Sequence, residues 1–399
     1  MNNPHTSSPV FDTVLSLLRS ALWGESFQAS PDTDWNAVNK ELKQQAVMHL
    51  PVDILCKENP AQKTIYTNYA VRCLMHWFKI MQLQQDTCNQ LLNAGIPCVV
   101  LKGASVARYY PQPSRRAMGD IDLLVRPEDF DRACQIVSEG AEYKGENFRH
   151  KEYKKNGIIL EVHHAFGTLR DAAQNALLDQ RLISAVGSAE KVTTENYSFF
   201  TLPTVENGIA LLMHIDVHLE NGLGLRQIID WMMFVDRHLD DGLWFREFAP
   251  FLEQLERKTL ATTVTRMCQM YLGLRTDITW CSGVDEQLCQ DLMEYILLQG
   301  NFGTKVQTGF NRTVSVIHAS KNKLSFLKIL QKRGLINWKA TQRYPFLKPF
   351  AWLYQLLRYL RLGLRSEKPL SLLRSASKSV DAKTVLMEQL GVSRMSEEG

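Results

Sequence analysis

Two aspartates one residue apart open a strongly apolar run, Asp120-Ile121-Asp122-Leu123-Leu124-Val125. Side chains alternate along a strand, so Asp120 and Asp122 share a face. Two carboxylates held that close on a half-buried strand repel each other unless a cation sits between them. Mg2+, or the similar Mn2+, takes carboxylate oxygens and substrate phosphates together. A third acid is expected from a neighbouring strand, and Glu161 stands inside Gly157-Ile158-Ile159-Leu160-Glu161-Val162-His163. Upstream, the buried strand Cys98-Val99-Val100-Leu101 runs into Lys102-Gly103-Ala104-Ser105, a small-residue turn with a hydroxyl. These residues suit a triphosphate. Gly103 lets the backbone approach phosphate oxygens, and Ser105 offers a hydroxyl to a β or γ oxygen. Lys102 and Arg116 are candidate phosphate clamps, Arg116 favoured for its planar fork, while Arg115 reads as a solvated cation.

Five histidines need placing. His163 shares the face of Glu161 and is expected to touch the nucleotide or support the carboxylate. His164 points the other way, so a zinc site built from His150, His163 and His164 is not expected. His214 and His218 are i,i+4 neighbours on a helix without the glutamate of a zinc-protease motif, and read equally as a packed pair.

Taken in order, Gly103-Ala104-Ser105, Asp120-x-Asp122 and Glu161 resemble the signature of the nucleotidyltransferase superfamily that includes DNA polymerase beta. Within it, Lys102-Gly103, an arginine, Gly119-Asp120-Ile121-Asp122-Leu123-Leu124-Val125 and Glu161-Val162-His163 are similar to an uncharacterised bacterial nucleotidyltransferase family. The helix with His214 and His218, then Leu225-Arg226 and Asp230, extend the likeness over roughly residues 60–240. Ala104 departs from the second Gly or Ser of the motif but keeps the small size. The resemblance implies an α+β fold: a polymerase-beta-like mixed sheet with helices, followed by a mainly helical domain. It implies Mg2+-dependent transfer of a nucleoside monophosphate from an NTP such as ATP to an acceptor (a small molecule, a protein or an RNA) with release of pyrophosphate. The catalytic residues would be Asp120 and Asp122, holding one or two Mg2+ ions, and Glu161, completing the site and helping to accept the acceptor's proton. It also implies that His214, His218, Arg226 and Asp230 line the interface between helical domain and active site.

The elements that must position these residues are legible from periodicity. Residues 10–22, 35–48 and 63–92 read as helices, the last stopping at Gly95. The segment 1–60 is expected to form a helical cap on a catalytic domain at 61–200, or else to belong to a substrate site. Ala104 to Tyr110 reads as a short helix ended by Pro111 and Pro113, and Pro127 starts another through Ser138. Residues 141–156 read as a strand whose Asn156-Gly157 turn delivers the chain into the Glu161 strand. The result is a small mixed sheet with helices on one face. Residues 167–200 are less regular and are expected to cover the site as a partly helical insertion. A helical domain follows at 201–320, led by a pair at Gly208–Leu219 and Leu225–Leu239.

Composition sets bounds. With 399 residues, 45% hydrophobic and 22% charged, the chain can bury a large core in two or three domains. A net charge of +4 does not by itself imply nucleic acid. Eight scattered cysteines without a Cys-x-x-Cys pair read as buried free thiols of a reducing cytoplasm. No secretory leader and no transmembrane run is expected. Residues 321–399 differ: 321–368 carry 12 Lys or Arg against one acid, Glu367, with interleaved aromatics, and a short helix near 380–390 precedes a polar tail. This segment fits a polyanion, an anionic membrane surface at the inner face, or a solvated basic face with aromatics packed inward. Besides the transferase, three other readings stand: a nucleic-acid-binding protein with a vestigial site, a membrane-peripheral enzyme, and a phosphotransferase moving the γ-phosphate.

Overall fold

The structure, a computed structural model, describes residues 8–167, 169, 171–303, 327, 330–331, 334–335, 338, 340–364 and 383–392. Helices α1 (Pro9–Trp23), α2 (Trp35–Gln44), α3 (Val52–Glu58) and α4 (Lys63–Asn93) open the chain. Pro9 sits in the first turn of α1, where its missing N–H costs nothing, and Gly24 closes the helix at φ 75°. The Asp34 carboxylate caps α2 by accepting the Asn36 and Ala37 backbone N–H groups at 3.0 Å. α1 docks on a late helix: Trp23 Nε1 donates to the Leu272 carbonyl at 2.6 Å and Arg19 to that of Tyr271 at 3.0 Å. The opening helix therefore packs on the helical region, while α3 packs on α4 and Asp53 takes Arg115.

Next come β1 (Cys98–Leu101), α5 (Ala104–Ala107), β2 (Asp120–Val125), α6 (Phe130–Ser138), β3 (Glu142–Glu146), β4 (His150–Lys155) and β5 (Ile158–His163). The sheet order is β1-β2-β5-β4-β3, with only β2 and β5 parallel. Residues 141–156 are two strands rather than one. Asn147 makes the extra turn, its Oδ1 accepting the Arg149 and His150 N–H groups at 2.8 and 3.2 Å. Asn156 and Gly157 sit at φ 53° and 83°, both positive, as a tight hairpin turn with matching twist requires.

One face of the sheet is core. Ile121, Leu123 and Val125 of β2 and Ile158, Leu160 and Val162 of β5 pack with Ile80 and Met81 of α4 and with Ala133 and Val137 of α6. By alternation, the opposite face carries Asp120, Asp122, Glu161 and His163.

Residues 167–200 are more regular than their sequence suggests. They form α7 (Ala172–Ser184) and a hairpin of β6 (Glu190–Thr194) and β7 (Tyr197–Thr201). The hairpin does not cover the site. Ser198 N–H donates to Gln85 of α4 at 3.1 Å, and Tyr197 meets Trp77 of α4 edge-on. Its five-residue strands are too short to announce a period.

A mainly helical region follows: α8 (Thr204–Asn221), α9 (Leu225–His238), α10 (Asp241–Leu243), α11 (Ala249–Gln254), α12 (Lys258–Leu272) and α13 (Glu286–Gln299). Residues Met1–Phe302 form one compact unit and Gly303–Gly399 another. In the second, α14 (Ala340–Arg343) and α15 (Ala351–Leu364) are joined by a tight helical turn, Trp338 stacks on Tyr354, and residues 383–389 are helical. Much of the basic aromatic stretch, including 321–326 and 365–368, lies outside the described residues. No helix among the described residues is long and apolar enough to cross a membrane.

Candidate active site

Strand register assembles the acids. Asp122 pairs with Glu161 across β2 and β5, and Glu161 pairs in turn with Glu152 of β4. Paired residues share a face, so these three stand in one row, with Asp120 two residues along. Ligand oxygens of Asp120, Asp122 and Glu161 lie within 4.8 Å of one another. Asp122 is only 2% exposed, and a carboxylate that deep requires compensation.

Compensation comes from two sides. Lys102 Nζ lies 3.0 Å from Asp122 Oδ2 and 3.5 Å from Asp120 Oδ2. Lys102 itself sits at φ 39°, a strained conformation for a residue with a side chain, and Gly103 follows at φ 48°. Burial opposes the Lys102 charge, but Asp122, Asp120 and Glu161 more than offset it and raise its pKa. On the other side, His163 Nε2 is 3.2 Å from Asp122 Oδ1 and 3.1 Å from Glu161 Oε2. Burial disfavours the imidazolium, yet these two carboxylates raise the His163 pKa. Burial likewise pushes the Glu161 carboxyl up, while the His163 bond and the Lys102 charge hold it down at about 2. His150 Nε2 is 3.8 Å from Glu161 Oε2, and burial and the neighbouring His163 lower its pKa.

The acidic face floors a cavity of about 520 Å3, whose lining includes Ala210, His214, Val217 and His218 of α8. His214 and His218 meet through their Nε2 atoms at 2.9 Å. Burial pushes both imidazoles down, His218 to about 4, so the pair is neutral, with one ring donating and the other accepting.

Residues 31–273, more than half of the chain, match a family described as uncharacterised nucleotidyltransferase. The chain belongs to this family. No curated protein matches it. The family lies within the polymerase-beta-like nucleotidyltransferase superfamily, and the mixed sheet followed by a mainly helical region is consistent with that fold. The His/Asp/Glu cluster of this nucleotidyltransferase-family chain can chelate a divalent metal. Its carboxylate oxygens are the hard donors that Mg2+ or Mn2+ takes.

The structure sorts the residues that sequence brings forward. Asp120, Asp122, Glu161, Lys102, Gly103 and His163 all line the cavity. Ser105 does not. The one-turn helix α5 turns it inward, fully buried, where Oγ donates to the Lys102 carbonyl at 2.7 Å and lies 3.3 Å from Asn207 Oδ1. A phosphate contact for Ser105 is therefore corrected to a contact that fixes the Lys102 turn. Arg116 lines the cavity, but its fork is committed: Nε and Nη2 bond Asp230 at 2.9 and 2.6 Å. The exposed carboxylate of Asp53 takes Arg115 at 2.9 Å.

Two other arginines fit a clamp better. Arg149 and Arg226 line the cavity, and each keeps a buried Nε without a partner among the described residues. Burial lowers the pKa of both, and nearby Arg116 adds to this at Arg226. Arg149 escapes a sequence reading because it sits in a polar, basic stretch that looks solvated. Arg226 is visible there only through the resemblance.

Proposed function

We propose that this chain transfers a nucleoside monophosphate from an NTP to an acceptor hydroxyl in a reaction that depends on Mg2+ or Mn2+. An acceptor oxygen bonds to the α-phosphorus, the bond from that phosphorus to the bridging oxygen breaks, pyrophosphate leaves, and the acceptor proton is released. The observation that carries this reading is the pairing of Asp122 with Glu161, which gathers three carboxylates on one wall of a cavity also lined by arginines. Asp120, Asp122 and Glu161 would hold the metal, which supplies charge for the triphosphate and lowers the pKa of the acceptor hydroxyl. Gly103 leaves its backbone open to phosphate oxygens. Arg149 and Arg226 face the cavity with donors to spare and are the clamps for the β and γ oxygens. Glu161, with its pKa near 2, serves as a fixed negative charge; a group so acidic is a poor proton acceptor near neutral pH.

The test is to incubate the full chain with each NTP and Mg2+ and to separate the products. Pyrophosphate with a nucleotidylated acceptor supports the reading, and its loss in Asp122→Asn and Glu161→Gln ties it to the site. A nucleoside diphosphate as product would mean γ-phosphoryl transfer. Tight RNA binding with no nucleotide bound would leave the vestigial-site alternative.

The exposed apolar side chains Phe346, Phe350, Leu353 and Leu357, at helical spacing within the basic segment, favour one added feature. We infer that this segment touches an anionic surface. Co-sedimentation with anionic vesicles, lost on truncation after residue 320, checks it.

A further inference from the structure

We propose that His150, Glu161 and His163 form a second, nitrogen-bearing divalent-metal position, which shares Glu161 with the all-oxygen set and takes Mn2+ or Zn2+ rather than Mg2+. The inference deepens the nucleotidyltransferase reading, since it concerns what the same site binds.

Register brings the ligands together. His150 pairs with His163 across β4 and β5, and Glu161 lies two residues before His163 on the same face. The two rings have centroids 4.6 Å apart, and ligand atoms of all three residues lie within 4.8 Å of one another. The individual gaps are close to those of a bound ion. His163 Nε2 is 3.1 Å and His150 Nε2 3.8 Å from the same oxygen, Glu161 Oε2. Ligands about 2.1 Å from a metal, at tetrahedral to octahedral angles, stand roughly 3.0–3.4 Å apart. The His163–Glu161 gap already lies in that range, and the His150–Glu161 gap exceeds it by a few tenths of an ångström.

Proton accounting points the same way. His163 Nε2 is within 3.2 Å of carboxylate oxygens from both Asp122 and Glu161. One ring nitrogen carries at most one hydrogen, so it cannot make a full bond to both. A divalent cation bound there would replace that proton on the nitrogen and meet the Glu161 oxygen as well. Imidazole nitrogen suits Zn2+ and other first-row ions, whereas Mg2+ prefers oxygen throughout. His164, next along the chain, is not part of the cluster; its ring lies against Phe130.

The experiment titrates chelator-stripped full-length protein with Mn2+ and reads bound ions by electron paramagnetic resonance. Two Mn2+ per chain are expected, one with the pulsed-resonance modulation of a coordinated imidazole nitrogen, and Zn2+ should displace that one first. His150→Ala should reduce the count from two to one, while His164→Ala should leave both. Wild-type protein without nitrogen modulation, or with a single Mn2+ that Mg2+ displaces as readily as Zn2+ does, overturns the proposal. The wild-type measurement decides the matter even if His150→Ala fails to fold. The class reading fails separately. Oxygen-only Mn2+ with intact Mg-NTP binding overturns this inference alone. Nitrogen-coupled Mn2+ without NTP binding supports it and overturns the transferase.

Discussion

Asp230 grips the Arg116 guanidinium with both carboxylate oxygens, at 2.9 Å from Nε and 2.6 Å from Nη2, and both residues are buried. The Tyr110 hydroxyl donates to the same carboxylate at 2.6 Å. The pair links the loop before β2 to α9, so it braces one wall of the cavity. Removing one partner of a buried ion pair leaves an uncompensated charge, at a cost of about 3–5 kcal/mol. Asp230→Ala is therefore expected to lower stability by that order in urea unfolding, and Arg116→Ala to lose stability as well. Unchanged stability with weakened nucleotide binding in Arg116→Ala would return Arg116 to the role of phosphate clamp.

Arg149 and Arg226 should behave in the opposite way. Among the described residues neither pairs with a carboxylate, although Arg226 Nη1 donates to the Ala117 carbonyl at 3.3 Å, so truncation removes no ion pair there. Each charge-assisted bond to a phosphate contributes about 1.5–3 kcal/mol, which is roughly 10–100-fold in affinity. Arg149→Ala and Arg226→Ala should weaken Mg-NTP binding by that order while the unfolding midpoint stays the same or rises. Calorimetric titration with an NTP reads the first quantity and thermal unfolding the second.

Acid should weaken the fold through its buried histidines. Burial lowers His49, His214 and His218, with His49 and His218 brought to about 4. Between pH 6.5 and 4 the unfolded chain binds more protons than the folded one. Stability from this source is full above about pH 6.5 and falls as pH drops toward 4. Glu161, held at about 2, keeps its contribution above about pH 4.5 and loses it as pH falls toward 2, so it adds to the loss only at the acid end of this window. His218→Asn should recover roughly 2–3 kcal/mol of the loss at pH 4.5 relative to pH 7. Urea unfolding of both proteins at the two pH values reads this, and a wild-type midpoint indifferent to pH would sink the idea.

α8 and α9 meet where Gly208 leaves no room. A Cβ there would sit 2.3 Å from Phe234 Cζ and 2.7 Å from Phe248 Cζ. Gly208→Ala is expected to cost about 1–3 kcal/mol by overpacking. Since α8 also carries His214 and His218, nucleotide affinity should fall with it. Thermal unfolding and an NTP titration of the variant check both.

By itself, the sequence determines that Asp120 and Asp122 share a face and that Glu161 stands on a strand; β2–β5 register then brings the three together on one wall. Asp120 and Asp122 share a face because alternation is a property of any strand. The Asn156-Gly157 turn starts the Glu161 strand because Asn and Gly tolerate positive φ. Those are local rules, acting over two to four residues, and they survive without knowledge of the rest of the chain. Tertiary structure alone decides which cations serve that wall. Arg115, Arg116, Arg149 and Arg226 are one residue type, and they differ in what lies opposite: Asp53, Asp230, or nothing at Nε. Ser105 and His150 follow the same logic. Asn207 of α8 approaches the inward-turned Ser105, and strand register sets His150 beside His163. Pairing and desolvation depend on residues far apart in sequence, so they exist only once the chain has closed on itself.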